Sequence, residues 1–167
     1  QRCMETAAIM FAAAEQSQED VAVVYIDLNS LKRVNDSFGH AMGDAVLRAF
    51  ADRLVRTVND FSIEPERVLI SRLGGDEFVV VMRRAPAREA ATDIARRCAE
   101  AFKLAITHDA LEFYSSPSIG VAVYPDDGAD VATVFKHADT AMYHAKATSG
   151  AVASYAPAMS ARMRDWL

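Results

Sequence analysis

Cysteine is nearly absent from this 167-residue chain: Cys3 and Cys98 stand far apart, and neither has a CxxC companion. That gives no basis for a disulfide framework or a zinc site, and a reducing, cytoplasmic setting is expected. Cys98 falls on the apolar side of a predicted helix, where a free thiol behaves as a small hydrophobe. No apolar run approaches the length of a membrane span, and no signal-peptide pattern opens the chain, so no membrane contact is expected of this domain. Basic residues are not in excess either. Eighteen Lys and Arg against 23 Asp and Glu leave a formal charge of −5, the wrong sign for a nonspecific nucleic-acid surface. Internal repeats and low-complexity segments are also missing. The chain opens at Gln1 rather than Met, and is expected to be a piece cut from something longer.

What is present is the length and apolar content of one globular domain able to bury a core. At its centre lies Arg72-Leu73-Gly74-Gly75-Asp76-Glu77-Phe78, between the β-branched runs Val68–Ile70 and Val79–Met82. Both runs are too short for helices and read as strands. The Gly-Gly pair supplies the positive φ angles of a tight turn. Two adjacent carboxylates at the tip of buried strands are costly unless solvent, a cation or a hydrogen-bond donor balances them.

Upstream, an Ala-rich helix over residues 2–16 is expected to face inward through Met4, Ala8, Phe11 and Ala12. The apolar run Val21–Ile26 suits a central strand covered on both faces. It ends in Asp27, a favoured position for ligand chemistry. A short helix over Leu31–Asp36, a turn at Ser37–His40 and a long helix over Ala41–Val58 follow, the last with Met42, Val46, Phe50, Leu54 and Val58 as its stripe. Asp44 sits in its first turns, away from that stripe. Pro86 opens another helix, with Ala91, Ile94, Ala95, Cys98, Phe102 and Ala105 inward. Leu111–Ser115 and Ser118–Tyr124 read as strands. A last helix over residues 130–147 presents Val131, Val134, Phe135, Ala138, Met142 and Ala145. Beyond Gly150 signals are weak, with Met159, Met163 and Trp166 hinting at a further helix. This order implies an α+β fold, a mixed sheet with helices packed on it. The simplest match is the ferredoxin-like βαββαβ palm, which sets Asp27 beside Asp76 and Glu77.

Three carboxylates at strand ends, without His or Cys nearby, favour a hard cation such as Mg²⁺ or Mn²⁺ over zinc. Two such ions can clamp an in-line displacement at phosphorus. Lys32 and Lys146 could neutralise phosphate charge. Asn35 and Asp44 suit guanine, whose Watson–Crick edge offers the N–H donors that a carboxylate accepts; adenine would leave an acceptor unpaired, at about 1–3 kcal/mol. Taken singly, each of these residues has a plainer role as a cap or a solvated surface group. His137 and His144, seven apart on the last helix without a third ligand, are expected to be structural or solvent-facing.

The motifs together resemble the GGDEF family, the diguanylate cyclases. Gly74-Gly75-Asp76-Glu77-Phe78 is the naming motif as it stands. The stretch from Asp27 to Asp44 is similar to the family's nucleotide-binding segment, and Ser118–Ala122 and Ala138–Lys146 to its later signatures. The resemblance implies a cyclase domain over residues 1–155 in which each of two facing protomers holds one GTP. Each 3′-hydroxyl attacks the α-phosphorus of the opposite GTP, releasing pyrophosphate and closing cyclic di-GMP. It further implies metal ligation by Asp27, Asp76 and the Leu28 carbonyl with Glu77 in support, and deprotonation of the attacking hydroxyl by Asp76. Gly74 and Gly75 would admit the α-phosphate, Asn35 and Asp44 would read guanine, and Lys32 and Lys146 would meet the terminal phosphates.

The chain departs from the family pattern at several places. Asn29 stands where Asp is usual, and Leu31 where Phe is usual. Ala147-Thr148-Ser149-Gly150-Ala151 replaces the usual Gly-Arg-Asn segment, which removes an arginine that helps hold the triphosphate. Pro65-Glu66-Arg67-Val68 replaces the Arg-x-x-Asp of the inhibitory product site. The family's Leu-Thr-Gly-Leu opening is missing. Residues 156–167 are similar to a connector leading to an EAL phosphodiesterase domain. The expected function is therefore a homodimeric diguanylate cyclase, with a GTP-binding regulator of an attached EAL or sensor domain as the alternative.

Overall fold

A computed structural model describes residues 2–29, 31–84 and 86–166, with side chains through Met163. Ser30 of the nucleotide-binding segment and the side chain of Trp166 lie outside the described residues. The elements run in the order α1 (Arg2–Ser17), β1 (Val21–Leu28), α2 (Leu31–Phe38), α3 (His40–Asn59), a 3₁₀ turn at Pro65–Arg67, β2 (Val68–Gly74), β3 (Glu77–Arg83), α4 (Ala87–Lys103), β4 (Ile106–His108), β5 (Leu111–Phe113), β6 (Pro117–Tyr124), α5 (Val131–Ala147), β7 (Val152–Ser154) and α6 (Pro157–Trp166).

Five strands form one sheet in the order β2-β3-β1-β6-β7, antiparallel except for the β6–β7 pair. The first four reproduce the expected βαββαβ order, with β1 central and buried along nearly its whole length. Alternation in β1 divides the core. Ala22, Val24, Ile26 and Leu28 face α2, α3 and α4, while Val21 and Val23 face α1 and α5. Phe102 and Leu54 are fully buried on the first side, and burial pushes the Cys98 thiol up to about 12.

Three sequence expectations need correction, and one strand was not expected. The inward face of α1 is Ala7, Met10, Phe11 and Ala14, with Ala8 and Ala12 exposed; an Ala-rich helix carries too little hydrophobic contrast to fix its own rotation. The turn at residues 37–40 narrows to Gly39 alone, whose φ of 89° breaks the chain between α2 and α3. Leu111–Phe113 does not join the main sheet but forms a two-stranded hairpin with Ile106–His108. Val152–Ser154 adds an unforeseen edge strand beside β6.

Two close approaches fix the helices. A Cβ at Gly120 would overlap the Ala138 carbonyl and the Met142 amide, so α5 lies against the β6 backbone. Arg53 of α3 donates to the carbonyls of Ala101 and Ala105 at 2.9 and 3.0 Å, and also to that of Leu104. It thereby satisfies acceptors that the end of α4 leaves open. Gly120→Ala forces backbone apart from backbone, and should destabilise the fold by about 3 kcal/mol or more in chemical denaturation. A loss below 1 kcal/mol would mean that α5 is free to retreat.

Candidate active site

The site is built at the end of β1. Pairing with β3 sets Asp27 opposite Glu77, and pairing with β6 sets it opposite Ser118. The turn before β3 is closed by Gly74 (φ 147°) and Gly75 (φ 50°), and the Leu28 amide donates to the Asp76 carbonyl at 3.0 Å. Arg72 donates through Nε to the Gly75 carbonyl at 3.0 Å and braces the same turn. Asp27, Asp76 and Glu77 are thus brought together by strand register, as the βαββαβ arrangement requires.

Their electrostatics are those of crowded acids. Asp27 is only 6% exposed, and Lys146 Nζ, from the last turn of α5, reaches its Oδ2 at 3.0 Å. Burial, followed by the negative charge of Asp27, holds the Asp76 carboxyl above the ordinary carboxylate range. Glu77 accepts a hydrogen bond from the Tyr25 hydroxyl at 2.9 Å. Burial and then that acceptor raise the Tyr25 phenol. Asp139 of α5 is raised by burial and then by Glu77 and Asp27. Tyr25 and Asp139 were not singled out in the sequence. Their partners lie 52 or more positions away, and only strand register and helix packing reveal them.

Among the described residues, no three His, Cys, Asp or Glu side chains are grouped closely enough to hold a metal ion. Glu77 is engaged by Tyr25, and Asp27 by Lys146. Asp76 nonetheless lies close enough to Asp27 for the two carboxylates to act on each other. Paired acids that repel each other are an oxygen donor set that fits a divalent cation completing its shell with water and phosphate.

Beside the carboxylates opens a cavity of about 470 Å³ lined by Lys32, Asn35, Asp44, Arg72, Gly75 and Asp76, among others. A short helix and the start of the next place Asn35 and Asp44 on its wall, because the chain reverses at Gly39 and Gly43 lies under the Asn35 amide. A Cβ at Gly43 would overlap Asn35 Oδ1. Lys146 does not line this cavity. It lies on the other side of the β1 end, with Asn29, in a second cavity of about 460 Å³. Gly74, Glu77, Asp27 and Leu28 line neither. Arg72 also lines this cavity, and no motif singled it out separately. Of the two histidines on α5, His137 is half-buried and stacks on Tyr155 with 4.0 Å between ring centres.

The family profile described as diguanylate cyclase, GGDEF domain, matches residues 2–151, and the chain belongs to that family. It is 36% identical over 148 residues to cyclic di-GMP phosphodiesterase PdeR of Escherichia coli, covering 88% of this chain and 21% of that protein. It is 38% identical over 128 residues to the bifunctional diguanylate cyclase/cyclic di-GMP phosphodiesterase MucR of Pseudomonas aeruginosa, covering 75% and 17%. The solved GGDEF domain of YfiN, or TpbB, from Pseudomonas aeruginosa superposes with a TM-score of 0.83 at 30% identity, covering 92% of each chain. The chain therefore spans about a fifth of the length of those two curated relatives.

Two outcomes check this geometry. Gly43→Ala should displace the Asn35 amide and weaken guanine-nucleotide binding while leaving the unfolding midpoint nearly unchanged; equal affinity by calorimetry would remove Asn35 from the site. Asp139 has a raised folded value, so its ionisation costs folding free energy as pH rises. Asp139→Asn should then raise Tm at neutral pH, and the gain should shrink as pH falls toward the ordinary carboxyl value of 3.8. A gain independent of pH would contradict the assigned cause.

Proposed function

We propose that this chain is a diguanylate cyclase domain that condenses two GTP into cyclic di-GMP with release of pyrophosphate, each of two facing copies contributing one nucleotide. The observation that carries the reading is Asp76 on the wall of one cavity with Lys32, Asn35 and Asp44, and Asp27 close behind it. Asn35 and Asp44 accept from the Watson–Crick edge of guanine, and Lys32 meets phosphate oxygens. Gly74 and Gly75, without side chains, let the turn approach the α-phosphate. Asp27 and Asp76, with the Leu28 carbonyl and with Glu77 in support, would hold Mg²⁺ or Mn²⁺, which supplies charge neutralisation and activation of the attacking oxygen. Asp76 takes the proton of the 3′-hydroxyl; its raised proton affinity suits a base. The new O–P bond forms at the α-phosphorus of the opposite GTP as the bond to pyrophosphate breaks.

A second reading has its own support. Lys146 is engaged with Asp27 rather than free for phosphate, Gly150 falls within the segment that lacks the family's arginine, and one relative is named a phosphodiesterase. In that reading residues 1–155 bind GTP without turnover, and residues 156–167 connect to an EAL domain that they regulate. A cytoplasmic location suits either reading, and no helix among the described residues is long and apolar enough to cross a membrane.

The test is GTP turnover at high protein concentration with Mg²⁺ and then Mn²⁺, detecting cyclic di-GMP and pyrophosphate, with GTP binding measured in parallel. Asp76→Ala should lower turnover by about 10³-fold. Binding without product, with dimerisation enforced, would favour the regulator, and neither binding nor product would sink both readings.

A further inference from the structure

The run Val21–Ile26 of β1 is apolar but for one hydroxyl, that of Tyr25. Strand alternation puts Tyr25 on the same face as Asp27, and it packs with the residues that meet α1 and α5. Glu77 is the register partner of Asp27 on β3, so Tyr25 and Glu77 are diagonal neighbours. An aromatic side chain spans that diagonal. The half-buried Tyr25 uses its single O–H on Glu77, donating to Oε2 at 2.9 Å.

Four groups therefore meet beneath α5. Asp27, Glu77 and Asp139 bring three carboxyls, each near enough to Tyr25 for its charge to act on the phenol. The ammonium of Lys146 is paired with Asp27, so the hydrogen-bond donor that holds Glu77 is the phenol. Without it, repulsion from Asp27 and Asp139 would turn Glu77 away from the end of β1. One hydrogen bond does not use up a carboxylate. It has two oxygens, so holding Oε2 leaves Oε1 to act as a ligand.

We infer that Tyr25 is a positioning residue for a divalent cation at the end of β1, its hydroxyl fixing one oxygen of Glu77 so that the other meets the ion. The inference rests on the metal-dependent nucleotide reading above. Hydrogen bonds to ligating carboxylates orient the donor set, and losing one lowers metal affinity about 10–100-fold. Asp76 lines the nucleotide cavity and Glu77 does not. The cation thereby gains an acid held from the α5 side of the sheet, where the nucleotide does not compete for it.

The test is Mn²⁺ binding to the full chain, followed by electron paramagnetic resonance with and without a GTP analogue blocked between its α- and β-phosphorus. It compares the unmodified chain, Tyr25→Phe, Glu77→Ala and the double variant. Tyr25→Phe removes one oxygen and keeps the ring, so it should fold, and thermal melting checks that it does. It should weaken Mn²⁺ binding about tenfold. In the Glu77→Ala background the same change should cost nothing further, because the phenol acts through that carboxylate. A merely structural tyrosine would lower the melting temperature and leave Mn²⁺ affinity alone, or weaken it equally in both backgrounds. Either result overturns the inference while the cyclase and regulator readings stand, as does undiminished Mn²⁺ binding by Glu77→Ala. If the unmodified chain binds no Mn²⁺ with the analogue present, the metal-dependent reading and this inference fall together.

Discussion

A carboxylate that is 6% exposed at the end of the central strand sets the terms for everything around it. Charge taken out of water needs a partner at close range or it is expelled or neutralised. Here the partner is Lys146, on a helix 119 positions later in the chain. It can reach Asp27 because α5 lies directly on the β6 backbone, and that contact exists because residue 120 has no side chain. Packing of helix on sheet and charge balance in the site are therefore one constraint. The same end of β1 gathers Asp76 through the Leu28 amide and Glu77 through strand register. Repulsion among these acids is balanced by one ammonium and one phenol.

That arrangement sets the pairing of Lys146 with Asp27 against the phosphate contact proposed for it. While it pairs with Asp27 it holds the unliganded site together, and it cannot at the same time give its full charge to a phosphate. A cation between Asp27 and Asp76 would take over the neutralisation and release the lysine. The family accommodates both names among its members, since this chain resembles proteins called cyclase, phosphodiesterase and both.

Much of the fold was legible because its elements are long or strongly patterned. The stripe of Val46, Phe50, Leu54 and Val58 and the unbroken run of β1 each bury as their periodicity requires. The hairpin was legible because only glycine turns so tightly at Gly74 and Gly75. β4 and β7 were not, since three residues are too few to show alternation and their pairing is set by distant neighbours. The placing of Asn35 and Asp44 on one cavity wall was legible because a single local reversal at Gly39 brings them together. The placing of Tyr25 and Asp139 was not. Each acquires its surroundings from chain segments brought in by the sheet, and nothing in its own neighbourhood announces that.

The edge strand has a mechanical meaning. β7 is held to β6 by a three-residue register, bracketed by the Ile119 amide on the Ala151 carbonyl and the Tyr155 amide on the Val121 carbonyl. The chain runs from it straight into α6. β7 holds its neighbour through three residue pairs, against seven and eight for the two pairings of β1, so within the main sheet it is the most weakly held strand. When it yields, Gly150 and Ala151, which line the second cavity, lose their anchor. One wall of the second cavity is thus tied to α6 through a strand only three residues long.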